Sequence, residues 1–262
     1  MIDQKKSGKQ VPKPRKPDVQ PVKSAMRTLG LLEYFRRTKA SACATELSSA
    51  LAMPQSSTSV LLKSLVSLNY LEYDSETRRF LPSYRVALLG DWIQRARFGD
   101  ERITDIMELL RSDTGETVML GQQIGAGMQY LHVLPATYRI QLTIPVDEIR
   151  PMSRTALGQI LLSCKPNSQV RAILRRNNAD ESNVSAHFRE TAFIREIEII
   201  RQRGYSETGG RTTPGANTIG MVVPSSGKQS LLAIGVGGPI DRIEPKRRRI
   251  IDAMRGRLGA ML

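Results

Sequence analysis

The sequence predicts an α+β protein with an N-terminal helical domain closed by a β-hairpin, a linker helix, and a C-terminal domain whose antiparallel sheet is flanked by helices. Three observations lead to this prediction. The chain has 262 residues, which is enough for two domains. Apolar residues recur at helical spacing over residues 22–68 and give way to two short strand-like runs over 70–81. Beyond residue 99, alternating runs interleave with helical runs, which is typical of a sheet covered by helices.

A basic segment precedes these elements. The first 23 residues contain seven Lys or Arg, two Asp and four Pro. Proline breaks helices, and a polar, charged segment cannot form a core, so we predict a disordered basic tail over residues 1–22. Such a tail either aids solubility alone or attracts phosphate without reading sequence. The residues leave both readings open.

Three helices are predicted next, over residues 22–37, 45–51 and 56–68. Pro54 forces a turn between the second and third helices, and Gln55 or Ser56 is placed near the N-cap of the third. The predicted apolar faces are Val22, Ala25, Met26, Leu29, Leu32 and Phe35 in the first helix, Leu47 and Leu51 in the second, and Leu61, Leu62, Leu65, Val66 and Leu68 in the third.

A strand at 70–73, a polar turn at 74–77 and a strand at 78–81 predict a hairpin. Helix, short helix, turn, helix, hairpin is the order of a winged helix-turn-helix, whose third helix enters the DNA major groove while the wing lies on the backbone or the minor groove. A structural three-helix unit is the alternative. The predicted DNA-binding residues are Thr45, Gln55, Ser56, Ser57, Ser59, Lys63, Arg78 and Arg79.

The winged helix-turn-helix is assigned to residues 23–85, the linker helix to 86–98 and the second domain to 99–262. Trp92 in the linker helix is expected to be a packing or dimer anchor. In the second domain, helices are predicted at 103–110, 155–164, 167–176, 188–203 and from about Pro245 onward. Strands are predicted at 118–124, 129–134, 140–146, 218–223 and 230–236, with a turn at 225–228. The basic run 246–249 is expected to be a solvated helix face.

Composition limits the possible functions. The chain carries 39 Lys and Arg against 25 Asp and Glu, a net charge of +14, which indicates a polyanionic partner. No apolar run approaches the ~20 residues that span a bilayer. The first residues also lack the apolar stretch of a signal peptide, so we expect a cytoplasmic protein without a membrane partner.

Two cysteines and two histidines are too few for a disulfide scaffold or a Cys- or His-rich metal site. Cys43 lies in apolar surroundings, where nothing nearby is expected to lower its pKa. Phosphate-binding loops and dinucleotide fingerprints are missing from the sequence. We therefore expect no catalytic residues, no metal and no cofactor. The alternative is a small-molecule enzyme with a helical docking or dimerisation module, and a third option is an architectural DNA-binding protein without an effector.

Several motifs occur in a characteristic order. The N-terminal ones are Ala44-Thr45-Glu46-Leu47, Met53-Pro54-Gln55-Ser56-Ser57-Thr58 and Asn69-Tyr70-Leu71. The C-terminal ones are Thr114-Gly115-Glu116-Thr117-Val118, Pro151-Met152-Ser153-Arg154-Thr155-Ala156, Arg203-Gly204-Tyr205 and Gly235-Val236-Gly237-Gly238-Pro239. Together they resemble IclR-type bacterial transcriptional regulators over about residues 23–262. One departure is Val60, where the family often carries an Arg.

The resemblance implies a ligand-responsive, DNA-binding transcriptional regulator with a GAF-like effector-binding domain. It implies a pocket built from Leu142, Ile144, Ser153, Thr155, Ala156, Thr208, Arg211 and Thr218. Free N–H groups at residues 155–158 would favour a carboxylate, so a small organic or aromatic acid is the expected effector. The other expected partners are double-stranded DNA with a pseudo-palindromic operator and further copies of the chain, as a homodimer or dimer of dimers.

Overall fold

The computed structural model describes residues 21–98, 102–211, 213–224 and 230–261. These residues belong to two compact units that meet in sequence between Ile93 and Gln94, and each unit is described by itself. Most of the predicted basic tail, residues 1–20, lies outside the described residues. The predicted turn at 225–228 lies outside them as well.

The first unit contains the predicted order of helices and hairpin. Its elements are α1 (Lys23–Thr38), α2 (Ala44–Ala50), α3 (Gln55–Ser67), β1 (Leu71–Asp74), β2 (Arg79–Pro82) and the first part of α4 (Tyr84–Phe98). Strands β1 and β2 pair antiparallel, and Ala42 adds an antiparallel bridge to Phe80. The fold class predicted from the sequence is thereby confirmed for this part of the chain.

The core of the first unit is small and consists of Leu31, Phe35, Ala42, Leu47, Leu62, Leu65 and Leu71. The predicted apolar face of α1 is largely wrong, because Val22, Met26 and Leu29 are exposed. The buried stripe of α1 is Leu31 and Phe35, four residues apart, which belong to the second half of the helix. The apolar side chains in the first half of α1 therefore face solvent and not the core.

The third helix also departs from the expectation in detail. Its N-cap is Pro54, not Gln55 or Ser56, and it has no side-chain cap. The hydroxyl of Thr58 is buried and donates to the Pro54 carbonyl at 3.1 Å. Leu68, predicted to be buried, follows the helix and is exposed. The helix thus begins one residue earlier than predicted and buries a narrower stripe.

The second unit is built on a six-stranded antiparallel sheet in the order β5-β4-β3-β8-β7-β6. Its strands are β3 (Thr117–Ile124), β4 (Gly127–Leu134), β5 (Ile149–Pro151), β6 (Ser206–Glu207), β7 (Ala216–Val223) and β8 (Leu232–Pro239). Its helices are α5 (Ile103–Thr114), α6 (Ala156–Ser163), α7 (Asn167–Asp180), α8 (Glu190–Arg203) and α9 (Ile240–Gly259). The predicted antiparallel sheet flanked by helices is confirmed.

Each face of the sheet has its own core because side chains alternate along a strand. Val118 and Leu120 pack with α5 and α9 on one face, whereas Met119 between them packs with α6, α7 and α8 on the other. Gly158 brings α6 close to the preceding segment. A Cβ added there would lie 2.2 Å from the Met152 carbonyl oxygen, so only glycine fits.

The predicted strand at 140–146 is wrong. Residues 141–145 belong to no strand or helix, and Ile140 is 75% exposed. Pro145 has no N–H to give to a ladder. The edge of β4 is instead taken by the next segment, since the N–H of Tyr130 donates to Glu148 O at 3.0 Å and the N–H of Asp147 donates to Tyr130 O at 2.8 Å.

The last helix begins at Ile240, earlier than predicted, and includes Pro245. The basic run on it is a solvated face only in part, because Arg248 and Arg249 are exposed whereas Lys246 and Arg247 are partly buried. Lys246 donates to the Tyr138 hydroxyl at 3.0 Å, Arg247 pairs with Glu207 at 2.9 Å, and Arg249 donates to the Asp113 carbonyl at 3.1 Å. The side chain of Arg248 is almost fully exposed, and its Nε lies 3.9 Å from Asp252 Oδ2.

Candidate functional site

The exposed face of α3 carries the polar side chains that the sequence predicts. Gln55, Ser56 and Lys63 are exposed, and Ser57 and Ser59 are partly buried. Thr58, Leu62 and Leu65 are buried on the opposite side and fix the orientation of the helix. Hydroxyl, amide and ammonium groups on one helix face can donate to phosphates and to base edges.

The first turn of α2 is closed by a reciprocal cap. Cys43 is the N-cap, its side chain accepts from the backbone of Glu46, and its N–H donates to Glu46 Oε2 at 2.9 Å. The pKa of the Cys43 thiol is lowered, first by the contact of its Sγ with the Thr45 hydroxyl at 2.9 Å and second by the hydrogen bond from the Glu46 N–H. The expectation that nothing lowers this pKa is therefore wrong. Thr45 itself is exposed beside the cap.

The two hairpin arginines have different environments. Arg78 is exposed in the turn, where its φ is 54°. Arg79 is half-buried, and its Nη2 donates to Glu46 Oε2 at 2.9 Å and to Ser41 O at 2.7 Å. Arg79 thus holds the hairpin against α2, whereas Arg78 projects from the turn.

A narrow cavity of about 20 Å³ lies in the second unit. Six residues predicted for the pocket line it: Leu142, Ile144, Thr155, Ala156, Thr208 and Thr218. Three separate segments of the chain therefore converge on one site, as the resemblance implies. The narrowness means that a bound molecule has to widen the cavity or displace water from it.

Four further lining residues were not predicted: Tyr130, Arg150, Thr213 and Ala216. Arg150 carries the one charge among the described residues of the lining. Its Nε lies 3.1 Å from Glu148 Oε1, and its Nη1 lies 3.4 Å from Thr213 Oγ1. Burial raises the pKa of Tyr130 to about 12, so its hydroxyl is neutral and can donate. The sequence offered a signal for Arg150, because this residue stands immediately before the motif that begins at Pro151 and contributes Thr155 and Ala156 to the cavity.

The start of α6 is partly satisfied by its own cap. Thr155 is the N-cap, and its hydroxyl accepts from the Gly158 N–H at 3.0 Å. The expectation that the N–H groups at 155–158 are all free is therefore corrected at Gly158. Thr155 therefore lines the cavity with its own side chain, and the capped N-terminus of α6 lies beside it.

Two predicted pocket residues lie elsewhere. Ser153 is buried outside the cavity lining, and its N–H donates to Asn177 Oδ1 at 3.1 Å. Arg211 forms an ion pair with Glu196, which raises the pKa of the guanidinium. Arg211 lines a separate surface cleft between α8 and α9, which has three carboxylates and three guanidinium groups.

The described residues contain no cluster of three or more His, Cys, Asp or Glu side chains suited to a metal ion. Among the helices of the described ranges, none combines the length and apolarity that crossing a membrane requires.

The sequence matches two family models. "Bacterial transcriptional regulator IclR C-terminal" matches residues 100–257, and "IclR helix-turn-helix domain" matches residues 24–75. The acetate operon repressor of Salmonella typhimurium is 23% identical over 235 residues, which cover 89% of this chain and 86% of the repressor. The transcriptional regulator KdgR of Escherichia coli is 22% identical over 243 residues, which cover 90% of each chain.

Solved structures agree with the fold. The crystal structure of Thermotoga maritima IclR superposes with a TM-score of 0.62 at 17% identity, covering 91% of this chain and 96% of that one. The C-terminal family model alone matches more than half of the sequence, and the helix-turn-helix model matches the segment that contains α1 to β1. The chain belongs to the IclR family of bacterial transcriptional regulators.

Proposed function

We propose that this regulator responds to a small organic acid, which binds in the cavity of the second unit and controls binding of the first unit to operator DNA. In this proposal residues 23–85 form the DNA-binding domain, 86–98 the linker helix and 99–262 the effector-binding domain. The observation that carries the proposal is Arg150, a cation placed in a cavity with threonine hydroxyls and an apolar wall. Such a mixture of an apolar wall and few polar groups is typical of ligand sites.

The Nε of Arg150 already faces Glu148 Oε1 at 3.1 Å, so in this proposal the carboxylate of the effector pairs with the Nη groups of Arg150. The neutral Tyr130 hydroxyl and the hydroxyls of Thr155 and Thr218 supply further donors. Leu142, Ile144 and Ala156 form the apolar wall. At about 20 Å³ the cavity is far smaller than the ~300–1,000 Å³ of ligand pockets, so the proposal requires a small acid and a widening of the cavity when it binds. The name of the acetate operon repressor is in line with such a ligand.

DNA contacts are assigned to the exposed face of α3 and its neighbours. The assigned residues are Thr45, Gln55, Ser56, Ser57, Ser59, Lys63 and Arg78. Arg79 is assigned a positioning role, because its guanidinium is bonded to Glu46 and Ser41. Lys63 and Arg78 are exposed cations suited to phosphate oxygens, and the smaller polar side chains suit base edges or phosphates at close range.

Self-association is assigned to α4. Leu88, Leu89, Trp92 and Ile93 are exposed on this helix, and Trp92 is 66% exposed. A large apolar surface left in water favours association, and aromatic residues are typical anchors of interfaces. A second copy of the chain is the proposed occupant, as a homodimer or a dimer of dimers. A two-fold dimer presents two α3 helices and so suits a pseudo-palindromic operator.

A thermal-shift screen tests the ligand proposal. The full chain is heated with small carboxylates, acetate and benzoate among them, and with the matching amides as uncharged controls. A ligand of the folded state raises Tm by mass action, so the acids and not the amides should stabilise the protein. No stabilisation by any acid contradicts the proposal, and consumption of the acid would favour an enzyme instead.

DNase footprinting on the DNA upstream of the protein's own gene tests the DNA-binding proposal. The expected result is a protected, pseudo-palindromic segment whose protection changes when the stabilising acid is added. Uniform, sequence-independent protection would favour an architectural protein over a regulator with an operator.

A further inference from the structure

We infer that Val60 is a specificity-determining residue of the DNA-binding face and contacts the C5-methyl group of a thymine in each half-site. The inference rests on the proposed DNA-binding role of α3. Val60 was not among the predicted DNA contacts. It adds to them a preference for one base pair that the hydroxyl and amide side chains do not supply.

Val60 is central on the exposed side of α3. It is 65% exposed although its side chain is apolar and branched. Ser56 precedes it by four residues and Lys63 follows by three, so the three share one face of the helix. Thr58 and Leu62, two residues before and two residues after Val60, are buried, so the helix face that carries Val60 points to solvent.

The surroundings of Val60 allow a close approach. Val60 and Leu61 line a groove of about 420 Å³ between α1 and α3. The other residues of this groove are Ser24, Arg27, Ser56, Ser57 and Ser64, four of them serines. Short side chains let the helix enter deeply, and Arg27 adds a cation at the rim for a phosphate. The groove is therefore lined mostly by small polar side chains and one cation, and Val60 is its one exposed apolar residue among the described residues.

The chemistry of that apolar residue selects the base. The Val60 side chain has no donor or acceptor, and its carbonyl already accepts from the Ser64 hydroxyl at 2.9 Å. Against a guanine, cytosine or adenine edge it would desolvate a polar group without replacing its hydrogen bond. Thymine presents a methyl group in the major groove, which apolar side chains contact. A β-branched side chain is also held in few rotamers, which suits a fixed contact.

The inference commits to DNA as the occupant because Val60 is surrounded by groups that suit DNA. Lys63 and Arg27 provide positive charge, and the serines provide donors, whereas a protein-binding patch is depleted in charge at its centre. A second copy of the chain seated on this face is the competing occupant. It predicts that Val60→Ala changes the oligomeric state and leaves base preference untouched.

The test uses the full-length protein and a library of randomised duplexes. Duplexes enriched by the wild type are sequenced, and the preferred thymines are then replaced one at a time by uracil, which removes only the methyl group. At one position per half-site uracil should weaken binding about fourfold, the factor expected for one buried methyl group. Val60→Ala should bind thymine and uracil duplexes equally at that position.

Leu68→Ala is the matched control, because Leu68 is exposed and apolar but follows the end of α3. This variant should keep the thymine preference. A wild-type protein that enriches specific sequences but binds thymine and uracil equally at every position overturns the inference and leaves the DNA-binding proposal standing. Failure to enrich any sequence overturns both. A thymine preference that persists in Val60→Ala also overturns the inference.

Discussion

The guanidinium of Arg79 donates to Glu46 Oε2 at 2.9 Å, and this bond joins the second strand of the hairpin to the first turn of α2. The same carboxylate oxygen accepts from the Cys43 N–H at 2.9 Å. The hydrogen bond from the Cys43 N–H, and next the charge of Arg79, lower the pKa of the Glu46 carboxyl. One carboxylate thus fixes the helix start and the hairpin together.

The two hairpin arginines should respond differently to removal. Arg78→Ala should reduce the slope of log affinity for DNA against log salt by about 1 for each bound protomer, or about 2 for a dimer, because each protomer loses one phosphate contact. Its thermal stability should equal that of the wild type. Arg79→Ala should lower Tm, because it releases Glu46 and Ser41, and it should change the slope little.

Fluorescence anisotropy at a series of salt concentrations gives the slope, and calorimetry gives Tm. Lys63→Ala should behave as Arg78→Ala does, since Lys63 is an exposed cation on α3. A salt slope lowered by Arg79→Ala at unchanged Tm would show that Arg79 contacts phosphate and would contradict the positioning role.

Ligand binding should depend on Arg150 and not on Arg211. Arg150→Gln removes the charge that the proposed carboxylate meets, so the acid found by thermal shift should bind between about tenfold and 100-fold more weakly. Arg211→Gln is the matched control, since Arg211 pairs with Glu196 in a separate cleft. Isothermal titration of both variants measures the difference. Equal losses in the two would place the carboxylate elsewhere.

Two glycines in helices should give opposite stability changes. Gly158→Ala puts a Cβ 2.2 Å from the backbone of Met152 and should lower the free energy of unfolding by about 3 kcal/mol. Gly256→Ala meets open space within α9 and should raise it by about 0.5–1 kcal/mol through helix propensity. Urea denaturation checks both values. A neutral Gly158→Ala would mean that α6 can move away from Met152.

Alkylation should report the altered acidity of Cys43. In a Cys164→Ser background, iodoacetamide should label Cys43 faster at pH 7 than it labels a free cysteine peptide, because a lowered pKa leaves more thiolate. Thr45→Ala removes the largest cause of that shift. Its rate profile should therefore move to higher pH. An unchanged profile would mean that the Thr45 hydroxyl does not stabilise the thiolate.

The parts of the fold that local signals determine were predictable. Pro54 ends the segment after α2, and polar residues between two apolar runs mark the hairpin, so these elements appear where the sequence places them. Both signals act within a few residues. The start of α6 was likewise predictable, because Thr155 caps it directly.

Tertiary contacts decided the rest. Ile140, Leu142, Ile144 and Val146 alternate as a strand does, yet Leu142 and Ile144 line the cavity and the other two are exposed. The periodicity of apolar residues alone cannot distinguish a hydrogen-bonded strand from an irregular segment that lines a cavity. Arg150 joins the cavity because β5 pairs with β4, and that pairing follows from no local pattern.

Ion pairs between residues far apart in the chain could not be predicted from the sequence either. Arg79 and Arg211 were assigned to binding because of their positions in motifs, but Glu46 lies 33 residues from Arg79 in the chain and Glu196 lies 15 residues from Arg211. Nothing in the spacing reveals such partners. Six of the eight predicted pocket residues nevertheless lie in one cavity, because the resemblance carried tertiary information that periodicity lacks.

The central claim is that the cavity and the DNA-binding face influence each other. Its most direct test measures the affinity of the full-length protein for its operator with and without the stabilising acid, and the affinity for the acid with and without operator. Linkage requires the same factor in both directions, and Arg150→Gln should abolish it while leaving DNA binding without acid unchanged. An acid that binds through Arg150 but leaves operator affinity unaltered would contradict the account.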